Sequence, residues 1–236
     1  MNIALYADGA DKAVMVRRYQ DKSVAGFTTN PSLMAKAKIT DYAAFAKSII
    51  AEIPDAPISF EVFSDDFESM EKEARIIASW GKHVNVKIPI TNTRGESSLT
   101  LCKKLLSEGM KLNVTALFTE EQISALHSIM TEKDDVIVSI FAGRIADTGI
   151  DPMPLMRASV LLFKDKPHAK ILWASPREAL NIYQADACGC HIITATDDQL
   201  SKLALRGKSL SAFSQETVQM FYDDAKRSGF RLSADL

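Results

Sequence analysis

The chain has 236 residues, a formal net charge of −2 and 47% hydrophobic residues, the balance of an ordinary soluble globular domain. No basic stripe with interleaved aromatics points to nucleic acid, and no apolar run is long enough to span a bilayer. The opening "MNIALYADGADK" lacks the basic-then-apolar pattern of a secretory leader. Cys102, Cys188 and Cys190 contain one C-x-C pair and no second pair to complete a zinc site, so reduced thiols in a cytoplasmic protein are expected.

Strand-like and helix-like segments then alternate. "NIALYAD" reads as a strand and "KAVMVRRYQ" as a helix; "VAGFTTN" is a strand ending in turn residues. "DYAAFAKSIIAEI" is an amphipathic helix capped by Asp41. "ISFEVF" precedes "DDFESMEKEARIIASWG", a helix with acidic residues in its first turn and Gly81 at its end. "VNVKIPI" precedes "SSLTLCKKLLSEG", and "KLNVTALF" precedes "TEEQISALHSIMTEK", capped by Thr119. "DVIVSIF" precedes "DPMPLMRASVLLFKDK", with Pro152 at the first helical position. "KILWAS" leads to "PREALNIYQADACG", and "CHIITAT" to "DDQLSKLALRG". A last amphipathic helix, at about residues 211–229, closes the chain.

Eight strand–helix units of roughly thirty residues predict a single (β/α)8 barrel domain over residues 1–236 with an extra C-terminal helix. An open doubly wound sheet is the alternative, but "DGADKA" does not match the glycine-rich first turn of a nucleotide-binding sheet.

Alternation along each strand assigns faces. In "VNVKIPI", Val84, Val86, Ile88 and Ile90 suit the helix layer, so Lys87 points into the barrel. By the same test Ser59, Glu61, Asn113, Thr115, Ser139 and Phe141 face inward, while Ile140 and Ala116 face outward. On "ILWAS", Trp173 and Ser175 are expected inward, Leu172 and Ala174 outward. Asp8 ends the first strand, and Thr28 and Asn30 end the second. Polar residues thus collect near C-terminal strand ends, where this fold builds active sites. They either bond one another as a plug or serve a reaction.

A lysine inside a barrel is either a fixed cation for a phosphate or carboxylate, or an amine that forms a Schiff base with a carbonyl. Glu61 and Asp8 are carboxylates available for the proton transfers such chemistry needs, or for a buried ion-pair cluster. His83, His127, His168 and His191 show no metal-ligand spacing, so no metal is expected. No organic cofactor is expected either, because in Schiff-base chemistry the imine itself is the electron sink.

Five motifs in order, "GFTTNPSLMAKA", "VNVKIPIT", "LNVTALFTEEQ", "VSIFAGRIADTGID" and "ILWASPREALNI", resemble those of the transaldolase family across nearly the whole chain. The length resembles the short branch that includes fructose-6-phosphate aldolases. The resemblance implies that Lys87 forms the Schiff base and that Asp8 handles the hydroxyl proton. Glu61 would work through a water that Thr115 positions. Asn30, Asn113 and Ser139 would hold substrate hydroxyls, and Arg144, Ser175 and Arg177 the phosphate, with Thr28 and Phe141 as further expected substrate-binding residues. Glu61 and Phe141 are similar to the transferase branch, the aldolases having glutamine and tyrosine there. Ile140, Pro176 and Trp173 depart from the family pattern. The resemblance further implies sugar phosphates as small-molecule partners, neither nucleic acid nor membrane, and a homo-oligomer in which the last helix docks on a neighbour. That helix packing on its own barrel is the other reading.

Overall fold

Eight parallel strands pair in chain order and close on themselves in the computed structural model, which describes residues 1–232. They are β1 (Ala4–Asp8), β2 (Gly26–Thr28), β3 (Ile58–Glu61), β4 (Val84–Pro89), β5 (Leu112–Leu117), β6 (Val136–Ile140), β7 (Ala169–Trp173) and β8 (Ile192–Ala195). The connecting helices are α1 (Lys12–Gln20), α2 (Pro31–Lys36), α3 (Tyr42–Glu52), α4 (Phe67–Ala78), α5 (Leu99–Ser107), α6 (Glu120–Ile129), α7 (Ala142–Asp147), α8 (Met153–Leu162), α9 (Leu180–Ala187) and α10 (Asp197–Ser201). The architecture is the (β/α)8 barrel expected from the sequence.

Met1–Leu200 form one compact unit and a second begins at Ser201. The second unit carries α11 (Leu210–Ser228), the expected final helix, capped by Ser209 and ended by Gly229 in the left-handed conformation.

Local chemistry explains the boundaries. Asp11, Asp41, Asp66 and Thr119 each accept a backbone N–H at the start of α1, α3, α4 and α6, and Thr119 with Gln122 forms a full capping box. Several helix ends differ from the sequence reading. α6 stops at Ile129 and α10 at Ser201, both short of their expected ends. α4 stops at Ala78, three residues before Gly81. Pro152 caps α8 rather than opening it. α9 begins at Leu180, because Asn181 Oδ1 takes the Arg177 and Glu178 N–H groups and holds them in a turn. The six-residue helices α2 and α7 carry no periodic signal of their own, since so short a segment has less than two turns.

Register fixes which side chains fill the barrel. Lys87 pairs with Asn113, Ser139 with Leu172, Leu172 with Ile192, Tyr6 with Thr194, Asp8 with Thr28 and Glu61 with Lys87. Registered neighbours share a face, so Leu172 and Ala174 point inward, where Leu172 packs with Tyr6, Ile137 and Ile192. Trp173, paired with Ile140, therefore points to the helix layer, where it is fully buried. This corrects the expected faces of β7. A one-residue slip of alternation reverses a strand, and the unbroken apolar run "ILWA" offers no polar residue to set the phase. Gly26 stands beside the Tyr6 ring, where a Cβ would come within 2.5 Å of the ring carbon, so Tyr6 can fill this end of the barrel only over a glycine.

Candidate active site

A cavity of about 480 Å³ opens at the C-terminal ends of the strands, the end where barrels of this kind carry their chemistry. Lys87 is the one lysine among its lining residues. Its side chain is 9% exposed and its Nζ lies 2.8 Å from Glu61 Oε2. Burying these charges is tolerable only because each faces the other. On the far side Nζ faces the Thr29 carbonyl at 3.4 Å.

Asp8 closes the same group. Thr28 Oγ1 donates to Asp8 Oδ1 at 2.7 Å, and Thr194 Oγ1 lies 2.5 Å from Thr28 Oγ1. Burial pushes the Asp8 carboxyl above its ordinary pKa, against the opposing pull of the Lys87 charge and the Thr28 hydroxyl. Asp8 thus holds a proton more readily than a solvated aspartate, as suits a group that exchanges one during a reaction.

The inner wall continues as a polar chain. Ser139 Oγ donates to Asn113 Oδ1 at 2.6 Å, and Asn113 Nδ2 donates to Ser59 Oγ at 3.0 Å. Thr115 Oγ1 is buried at the cavity wall with no hydrogen-bond partner among the described residues, so it is available to a water or ligand. Beyond it a bulge between Val114 and Leu117, with Ala116 at φ 58°, turns Ala116 towards the cavity against its expected outward face.

Asn30, Arg144, Phe141 and Ser175 complete the rim. Asn30 also caps α2, its Oδ1 accepting from Leu33 N at 2.9 Å, which leaves the Nδ2 amide for a ligand. The Arg144 guanidinium sits 5.4 Å over the Phe141 ring, and Phe118 packs 5.5 Å from the same ring. Ser175 has φ 58°, and its carbonyl oxygen lies 1.6 Å from where a Cβ on residue 143 would stand. Only glycine at 143 lets α7 approach this turn.

The cavity therefore brings together Asp8, Thr28, Asn30, Glu61, Lys87, Asn113, Thr115, Ser139, Phe141, Arg144 and Ser175. It does not bring in Arg177, whose guanidinium forks onto the Asp147 carboxylate at the end of α7. Nor does Trp173 line the cavity, so its bulk bears on the helix layer and not on a ligand. Thr194 was missed by sequence reasoning, although alternation in "CHIITAT" puts it on the face of Ile192. Ser32 and Leu33 were missed because α2, which carries them, gave no periodic signal.

The profile of the Transaldolase/Fructose-6-phosphate aldolase family matches residues 5–234. A probable transaldolase of Thermoanaerobacter sp. is 33% identical over 210 residues, covering 89% of this chain and 90% of that one. A probable transaldolase of Nitrosopumilus maritimus is 34% identical over 192 residues, covering 80% and 82%. One of Desulforamulus reducens is 37% identical over 194 residues, covering 80% and 85%. Among solved structures, a 3-hexulose-6-phosphate synthase superposes with a TM-score of 0.56 at 12% identity, covering 83% of this chain and 90% of that one, a likeness of fold alone.

Proposed function

This chain belongs to the transaldolase/fructose-6-phosphate aldolase family, and from that premise we propose that it is a Schiff-base transaldolase moving a dihydroxyacetone unit from a ketose phosphate to an aldose phosphate. The observation that carries the reading is the buried Lys87 amine facing both a carboxylate and the cavity.

In this reading Glu61, 2.8 Å from Nζ, takes the ammonium proton. The free amine then adds to the ketose carbonyl. Loss of water from the carbinolamine, assisted by Glu61 through a water held at Thr115, gives a protonated imine. Asp8 removes the C4 hydroxyl proton and the C3–C4 bond breaks. Its electron pair flows into the imine, leaving an enamine on Lys87 and releasing an aldose phosphate. The acceptor aldehyde takes the unit by the reverse steps, and hydrolysis frees Lys87. The imine is the electron sink, so the cycle requires neither metal nor organic cofactor.

The hydroxyls of the bound unit have Asn30, Asn113 and Ser139 within the cavity wall. The phosphate has Arg144 and Ser175 at its rim, with Arg177 joining if it exchanges Asp147 for phosphate. Phe141 offers no hydroxyl to protonate the enamine, which supports transfer over simple release. The test is product analysis with fructose 6-phosphate, with and without erythrose 4-phosphate. Acceptor-dependent turnover is expected. Free dihydroxyacetone at the same rate without acceptor would make the protein an aldolase, and no turnover of any ketose phosphate would overturn the proposal.

A further inference from the structure

β2 and β3 separate just before the end of β3 that carries Glu61. Their registered pairs are Phe27 with Ile58 and Thr28 with Ser59, and the last ladder bond runs from Thr29 N to Ser59 O at 3.1 Å. One further step of a parallel ladder would have Glu61 N–H donate to the Thr29 carbonyl, and the N–H of residue 31 donate to the Glu61 carbonyl. Residue 31 is proline and has no N–H, and the chain there turns into α2. The backbone of Glu61 thus loses its strand neighbour on one side while half-buried, a state that needs a substitute partner.

Tyr42 is that partner. Its hydroxyl accepts from Glu61 N and donates to Glu61 O, each at 2.9 Å. The Thr29 carbonyl, relieved of Glu61, faces Lys87 Nζ instead, at 3.4 Å. Tyr42 is itself fixed: it is the first residue of α3, directly after the capping Asp41. Its ring meets Phe60, Phe63 and Trp80 at 6.0, 5.8 and 5.7 Å. Burial pushes the phenol above its ordinary pKa, so the group stays a hydroxyl that donates and accepts at once. Tyr42 does not line the cavity.

We propose that Tyr42 is a positioning residue of the reaction: its hydroxyl stands in for the missing end of β2, fixes the Glu61 carboxylate against Lys87, and keeps the Thr29 carbonyl free for the amine. The proposal rests on the Schiff-base reading of Lys87. The test is Tyr42→Phe, which keeps the ring, beside Trp80→Phe, which loosens the same aromatic cluster and leaves the hydroxyl. Tyr42→Phe should lower kcat by about 10- to 100-fold, with KM within about twofold, and shift the acid limb of the kcat–pH profile. It should also speed amide hydrogen exchange at Glu61, while Trp80→Phe at equal or greater loss of Tm keeps kcat and the pH profile. Unchanged kcat in Tyr42→Phe, or an equal fall in Trp80→Phe, overturns the positioning role while the wild type still forms a reducible ketose adduct. Absence of any adduct on the wild type overturns the Schiff-base reading instead, and the catalytic purpose of the clamp with it.

Discussion

The inner wall of the barrel has two arcs of opposite character. Over β3, β4 and β5 the inward positions are Ser59 and Glu61, Asn85 and Lys87, Asn113 and Thr115, polar throughout apart from Pro89, which is registered with Thr115 at the end of β4. Over β7 and β8, Leu172, Ala174 and Ile192 point inward and pack with Tyr6 and Ile137. Each buried polar group of the first arc needs a specific partner, whereas the second arc gains stability from burial without direction. One arc supplies rigidity, and the other uses it to align costly charges and hydroxyls. Asp8, Thr28 and Thr194 lie at the seam, joined by hydroxyl bonds that cross from β8 through β2 to β1.

Breaking each arc should give opposite phenotypes. The largest effect is expected from Lys87→Met, which should remove turnover to background while the protein keeps a cooperative melt; retained turnover would show that the polar arc does not carry the chemistry. Asp8→Asn should lower kcat by about 10²- to 10⁴-fold yet melt higher than the wild type at pH 7. The sign follows from burial. Asp8 holds its proton more tightly folded than unfolded. Its contribution therefore favours the folded state most at low pH and is lost as pH rises from the ordinary value of 3.8 through the raised one. An asparagine has no such loss, so the difference in Tm should close as the pH falls below 3.8, as thermal melts across pH would record.

Leu172→Ala should do the reverse. It leaves a cavity in the apolar arc and should cost about 2–5 kcal/mol in denaturant unfolding, with kcat of the folded protein retained. The smallest effect is expected at the rim. Asp147→Asn frees Arg177 from its ion pair and should lower KM for a ketose phosphate by up to about fivefold, the scale of one exposed pair, with no change for an unphosphorylated ketose donor.

Period-two alternation with an isolated polar residue made much of this comparison legible in the sequence. Glu61, Lys87, Asn113 and Ser139 each interrupt an apolar run, and the interruption itself sets the phase of the strand. "ILWA" has no such marker, so alternation alone exchanges the faces of Leu172 and Trp173, and only register with Ser139 and Ile192 reveals the apolar arc. Arg177 was legible as a cation but not as the partner of Asp147, because that pairing depends on how the α7 and α9 turns meet at Gly143. Tyr42 was hidden for a related reason. It reads as an apolar position at the start of α3, and its hydroxyl gains meaning only where Pro31 ends the β2 ladder.

On the Schiff-base reading, the polar arc exists to present Lys87 as an amine nucleophile. Borohydride reduction in the presence of fructose 6-phosphate, followed by peptide mass spectrometry, tests it most directly. One reduced three-carbon adduct on the peptide containing Lys87, absent in Lys87→Met, is the predicted result. An adduct on a different lysine, or turnover with no adduct on any peptide, would contradict it.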